Sequence, residues 1–177
     1  YEIMAVIYYA GLRISEVTHL LKTDINFNDH VINVHNKTIN GEAYVTKTKR
    51  NWRAPINAEL ETILKEWIEK TRGNRSVLLF PNSKNKVIKN DHIGKEVKKV
   101  MRKLEIAEEK VCKPLHGGRH AFCSHALASG VPEMIVQSAL GHRSNIMTRH
   151  YAHLSPEYVR DQFNKLNYGH DLKDGVK

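Results

Sequence analysis

Three short stretches gather side chains that have little use in a core and much use around a phosphodiester. Gly11-Leu12-Arg13-Ile14-Ser15-Glu16 places an Arg at a turn beside a helix start. His116-Gly117-Gly118-Arg119-His120 sets two His around a second Arg. Leu140-Gly141-His142-Arg143 is followed by Thr148, His150 and Tyr151, with Tyr151 nine residues after His142. Cleaving a phosphodiester spreads negative charge over the non-bridging oxygens, and two guanidinium groups can clamp those oxygens while staying charged. A Tyr can attack in line with the leaving oxygen. Its ordinary pKa of about 10 calls for a cationic surround or a nearby base such as His. The departing oxygen needs a proton, which a Lys or His can supply.

The elements that must position these groups can be read from pattern. Residues 3–10 form an apolar helix stopped by Gly11, and Ser15 is placed to cap a second short helix. Val31, Ile32 and Val34 read as a strand, and Asn40-Gly41 is a turn signal. Residues 43–46 and 52–56 read as two further strands flanking a basic hairpin tip, Lys47-Thr48-Lys49-Arg50-Asn51. Asn57 should cap a helix carrying Leu60, Ile63, Leu64, Trp67 and Ile68 inward, closed near Gly73. Asn90 opens an amphipathic helix with Ile93, Val97, Val100, Met101 and Leu104 inward. Its outer face holds Lys95, Lys98, Lys99, Arg102 and Lys103, which serve equally as a solvated face or as phosphate contacts. From Pro114 the chain reads as helical: about 116–129, ended by Gly130, then from Pro132 to Gly141, then a last helix with Ser155 as cap and Pro156 at its first position. Tyr158, Val159, Phe163 and Leu166 form its apolar stripe. The fold class expected is mainly α with a small antiparallel sheet near the start, α+β.

Composition bounds the partners. In 177 residues, 28 Lys and Arg against 19 Asp and Glu leave a formal charge of +9, which suits a polyanion. The segment 47–53 contributes four positive charges and no acid, and 84–113 contributes ten against five. No run of about 18 apolar residues exists for a membrane span. Two Cys, Cys112 and Cys123, make no disulfide framework and suggest a reducing, cytoplasmic setting. Cys112, His116, His120, Cys123 and His125 crowd together, yet they lack the paired-Cys or His-Glu-x-x-His spacing of a zinc site. No metal or other cofactor is expected.

In order and spacing these stretches resemble the tyrosine recombinases, the phage-integrase family of site-specific DNA recombinases. The likeness runs from the AGLRISE segment through the basic hairpin, HGGRH and LGHRSNIMTRHYAH to the final SPE helix. It implies a metal- and ATP-independent enzyme that cleaves and rejoins DNA through a 3′-phosphotyrosyl bond. By resemblance Arg13 and Arg119 are the clamp, His116 and His142 assist at the phosphate, and Tyr151 is the nucleophile. Lys47 is the general acid, chosen over Lys49 and Arg50 by its place eight residues before Pro55. Lys49, Arg50, Arg53, Lys95, Lys99, His120 and Arg143 are then candidate DNA contacts. The implied partner is double-stranded DNA, with a homotetramer assembled on it through the C-terminal helix. A DNA-binding module without catalysis and a type IB topoisomerase-like relaxing enzyme are the competing readings.

The chain opens inside an apolar segment, YEIMAVIYYAGLR, without Met. Residues 1–168 are therefore expected to be a catalytic domain cut just downstream of a separate DNA-binding domain, with 169–177 a polar tail. The family usually has Leu where this chain has Gly118. Adjacent glycines lower helix propensity, and the missing Leu removes a core contact near Arg119.

Overall fold

A computed structural model describes residues 1–106, 114–141 and 155–166. Helix α1 (Glu2–Ala10) ends at Gly11, which takes the left-handed conformation (φ +67°) and closes the helix by donating its N–H to Ile7. Helix α2 (Ile14–Thr18) follows, and then a single 3₁₀ turn, Lys22–Asp24. Ser15 is not the cap of α2. Arg13 occupies that position, and the Glu16 carboxylate accepts the Arg13 backbone N–H at 2.8 Å. An acidic side chain at the third helical position reaches the orphan donor better than a Ser already inside the helix.

Strands β1 (Ile25–Asn26), β2 (Val31–Val34) and β5 (Trp52–Pro55) form an antiparallel sheet in the order β1-β2-β5. Its register pairs Ile32 with Ala54, Asn33 with Arg53 and Val34 with Trp52. Strands β3 (Lys37–Ile39) and β4 (Glu42–Tyr44) make a separate hairpin, closed by Asn40 and Gly41 at φ +52° and +85°. Positive φ at both central residues is what a tight two-residue hairpin turn requires. The basic segment 47–51 is thus not the tip of a hairpin. It links β4 of one sheet to β5 of the other. The β3–β4 hairpin is an insertion between two strands that pair with each other, and turn signals alone do not reveal such a nonlocal pairing.

Helix α3 (Ala58–Lys70) is capped by Asn57, whose side chain accepts from the Leu60 N–H at 2.9 Å. Helix α4 (Asn90–Lys103) buries Ile93 and Met101, but Val100 and Leu104, expected inward, are 54% and 64% exposed. They lie at the C-terminal end of α4, where the described elements cover the Met101 side only. Helices α5 (Pro114–Ala128), α6 (Glu133–Ala139) and α7 (Pro156–Asn164) complete the described chain, with Ser155 capping α7 through the Tyr158 N–H.

Two apolar clusters hold these elements. The first joins α1, α2, α3 and the sheet around Val6, Ile7, Ala10, Leu12, Ile32, Ala54, Leu60 and Leu64. The second joins α5, α6 and α7 around Phe122, Ile135, Val136, Leu140 and Phe163. Phe122 and Phe163 stack at 5.4 Å, so Phe163 and Leu166 of the α7 stripe are buried on their own chain while Tyr158 stays exposed. Arg160 of α7 also pairs with Glu61 of α3 at 2.5 Å, and Asn164 accepts the Ala58 N–H at the start of α3. No described helix is long and apolar enough to cross a membrane.

Candidate DNA-processing site

Helix α1 packs across α5, and this contact brings residues distant in sequence together. Gly118 faces Ile7 so closely that a Cβ there would lie 2.9 Å from Ile7 Cγ2. The space a Leu would need is filled by Ile7, so the glycine serves close helix approach rather than leaving a gap. One residue on, Arg119 is buried and reaches back to the end of α1. Its Nη1 donates to the Gly11 carbonyl at 2.6 Å and its Nη2 to the Leu140 carbonyl at 2.8 Å. Gly11 itself admits no side chain, since a Cβ would fall 2.5 Å from the Phe122 ring and 2.8 Å from Leu140.

Arg13 and Arg119 meet at one carboxylate. Glu16 is fully buried, with Arg13 Nη1 at 2.8 Å from its Oε1 and Arg119 Nη1 at 4.0 Å from its Oε2. Burial, with the neighbouring Arg13 charge adding to it and Glu16 opposing, lowers the Arg119 pKa to about 10. The guanidinium is still protonated near neutrality. Glu16 is the residue that sequence pattern leaves unassigned. Its signal was a carboxylate three residues after an Arg at a helix start.

The strand that leads to Lys47 reaches the α2 end of this cluster through Tyr44. Tyr44 stacks on His19 of the α2 terminus, with ring centres 4.0 Å apart and planes 15° apart. Burial, with the Glu16 charge adding to it and Arg13 opposing, pushes the Tyr44 phenol up to about 12. Beyond Tyr44 the chain turns through Thr46–Lys49, with the Lys49 N–H donating to the Thr46 carbonyl at 2.8 Å. The Asn36 side chain accepts the Thr46 N–H at 2.9 Å, and Thr46 Oγ1 donates to the Arg50 carbonyl at 2.9 Å. Lys47, Lys49 and Arg50 are exposed on this braced turn, and Arg53 is exposed on β5.

His116 sits one turn before Arg119 on α5, exposed, with its ring 4.6 Å from that of His120. Lys95 is exposed on α4, and Lys99 is tied to Glu96 at 2.6 Å. His142, Arg143 and Tyr151 lie outside the described residues, as do Cys112 and residues 169–177. The structure therefore brings Arg13, Glu16 and Arg119 into contact and sets His116 and the Lys47 turn on neighbouring elements.

A mainly helical domain with small antiparallel sheets has counterparts of known structure. The transposon Tn1549 integrase, solved with circular-intermediate DNA, superposes with a TM-score of 0.67 at 22% identity over 94% of this chain and 58% of that one. The XerA recombinase gives 0.65 at 20% identity, covering 93% of this chain and 57% of that one. These likenesses define the fold as that of tyrosine recombinase catalytic domains. The phage integrase family model matches residues 1–158, and the chain belongs to that family. A tyrosine recombinase of Thermosipho africanus is 29% identical over 163 residues, 92% of this chain and 52% of its own length. XerC of Pelobacter propionicus is 28% identical over 166 residues, 93% of this chain and 51% of its own. The chain spans about half the length of these curated relatives.

Proposed function

We propose that residues 1–168 act as the catalytic domain of a site-specific DNA recombinase, cutting and rejoining double-stranded DNA without metal or ATP. The supporting observation is the Arg13–Glu16–Arg119 cluster, in which two guanidinium groups from segments 106 residues apart are fixed by main-chain carbonyls and one carboxylate. Prepaid placement of this kind stabilises charge that develops only in the transition state. In the reaction, Tyr151 Oη passes its proton to a neighbouring His and attacks the scissile phosphorus, forming a 3′-phosphotyrosyl bond as the bond to the 5′-oxygen breaks. Lys47 gives its proton to that oxygen, while Arg13, Arg119, His116 and His142 hold the non-bridging oxygens. A 5′-hydroxyl from the partner duplex then attacks phosphorus and releases Tyr151, completing strand exchange. Lys49, Arg50, Arg53, Lys95, Lys99, His120 and Arg143 contact the DNA around the site.

The test uses nicked DNA that traps the covalent complex. Wild type should accumulate a protein–DNA adduct and Tyr151→Phe none; equal trapping by both overturns the nucleophile. Lys47→Ala should lose cleavage of normal DNA and regain it when the 5′-bridging oxygen is replaced by sulfur, a better leaving group. The working assembly is a homotetramer on DNA in the cytoplasm, in which the α7 stripe moves from its own Phe122 to a neighbouring subunit. Gel filtration with and without DNA, on a chain ending before Ser155, checks that exchange. Relaxation of supercoiled DNA without synapsis of two duplexes would favour the topoisomerase-like alternative.

A further inference from the structure

The Lys47 turn and the corner after α6 are joined by one aromatic ring. Trp52 opens β5 five residues after Lys47, on the same face of the sheet as Ala54. Its indole lies flat against Gly141, the residue that follows Leu140 and precedes His142. Gly141 has φ +64°, and a Cβ there would fall 2.6 Å from Trp52 Cδ2, 2.7 Å from Cε2 and 3.1 Å from Cε3. The backbone at 141 is thus held against the six-membered ring with no space for a side chain. Leu140, one residue earlier, supplies the carbonyl that accepts Arg119 Nη2.

The indole N–H does not explain this residue. Among the described residues, Trp52 Nε1 is buried and has no hydrogen-bond partner. A buried donor without a partner is a cost, and a Phe would avoid it. What remains is the flat ring area over Gly141. The other end of the basic segment is fixed in a similar way, by Tyr44 stacked on His19. The segment between these two rings is braced by Asn36, which takes the Thr46 N–H on its side chain and gives its own N–H to Asn51 Oδ1 at 3.3 Å. The Trp52 end reaches across to the Leu140–Gly141 corner.

We propose that Trp52 is a positioning residue for DNA cleavage, its ring setting the Leu140–Gly141 corner at one fixed spacing from the Lys47 turn. This rests on the proposed cleavage reaction but assigns Trp52 no contact with DNA. A misplacement of about 1 Å can cost on the order of 100-fold in rate. The effect should therefore fall on the rate of adduct formation at saturating DNA and not on affinity.

The experiment compares wild type, Trp52→Phe and Trp52→Ala, each with and without Gly141→Ala, using nicked DNA and thermal unfolding. Trp52→Ala should bind DNA within about twofold of wild type and form adduct at least tenfold more slowly, a rate loss of the size expected for misplaced groups. Trp52→Phe, which keeps a covering ring, should restore most of the rate. Gly141→Ala should destabilise wild type more than it destabilises Trp52→Ala, because removing the ring removes the collision. Unchanged cleavage by folded Trp52→Ala overturns the proposal. So does a Phe variant as slow as the Ala variant, or an additive unfolding cycle. If wild type forms no adduct at all, the cleavage reading fails and Trp52 loses its positioning role with it, whereas the unfolding cycle still reports whether the ring holds the corner.

Discussion

The Arg119 guanidinium donates to the carbonyl of Gly11 at 2.6 Å, and Gly11 stands two residues before Arg13. The residue that ends α1 therefore locates both cationic groups. Its left-handed φ reverses the chain toward Arg13, its missing side chain admits Phe122, and its carbonyl anchors Arg119. Geometry that supports charge chemistry is here a consequence of how one helix stops and another crosses it.

Arg119→Lys should therefore cost more than a charge-conserving exchange suggests. An ammonium is a point donor and cannot span the carbonyls of Gly11 and Leu140 in one plane. One buried carbonyl would lose its partner, a penalty of about 1–3 kcal/mol. Thermal unfolding should show that loss. Adduct formation on nicked DNA should fall about 100-fold or more, the usual scale for removing one preorganised donor. Equal melting and equal trapping by the two proteins would show that the two carbonyl bonds do not hold the guanidinium in place.

Glu16→Gln separates capping from charge. A Gln at the third helical position can still accept the Arg13 N–H, so α2 should persist. The charge facing Arg13 and Arg119 is lost, and two guanidinium groups remain together without it. Breaking a buried pair costs about 3–5 kcal/mol, but Arg13 reaches solvent, so a loss of about 2 kcal/mol is expected. Sulfate should raise the melting temperature of Glu16→Gln more than that of wild type, because an anion replaces the missing charge. An identical sulfate response in both proteins would show that Glu16 does not balance this pair.

The parts legible in the sequence are those set by local chemistry. Gly11 as a helix stop, Asn57 and Ser155 as caps and Asn40-Gly41 as a hairpin turn each depend on a few adjacent residues. The pairing of β5 with β2, across the β3–β4 insertion, depends on contacts far apart in the chain, which local turn signals around 47–51 do not carry. Ser15 fits a cap by residue type, yet a carboxylate one residue later does the work from a better place. Site motifs placed Arg13, His116 and Arg119 on their elements. Spacing sets Glu16 three residues after Arg13 at a helix start, but its burial between the two Arg and the ring over Gly141 are products of packing.

Docking of α7 should weaken in acid. Glu61 lies between α3 and α7. Burial disfavours its charge, yet the Lys65 hydrogen bond, with Arg160 and His30 nearby, holds its pKa below the ordinary 4.5. A carboxylate lowered on folding adds stability that is fully present above its unfolded pKa. That stability is lost as pH falls through the lower folded value. Wild type should thus lose protection of the α7 amides as pH drops below about 4.5, while Glu61→Gln should be weaker at neutral pH and flat over the same window. Hydrogen exchange of residues 158–164 reads both. The same acid-dependent loss in Glu61→Gln would place the titrating group elsewhere.

Gly118 tests whether α1 and α5 need their close approach. Gly118→Ala adds about 1 kcal/mol of helix propensity, which alone would stabilise α5. Against this, the new Cβ meets Ile7 Cγ2 at 2.9 Å, and Ile7 is a fully buried, β-branched side chain with one preferred rotamer in a helix. Overpacking of a filled core costs about 1–3 kcal/mol, so the collision should outweigh the propensity and Gly118→Ala should melt lower than wild type. Gly118→Leu should be worse still, despite being the residue usual in the family, because Ile7 already fills the space it would take. In an Ile7→Ala background the sign should reverse: the Cγ2 is gone, propensity dominates, and Gly118→Ala should melt higher than its parent. A stabilising Gly118→Ala in the wild-type background would mean that the helices have room to separate.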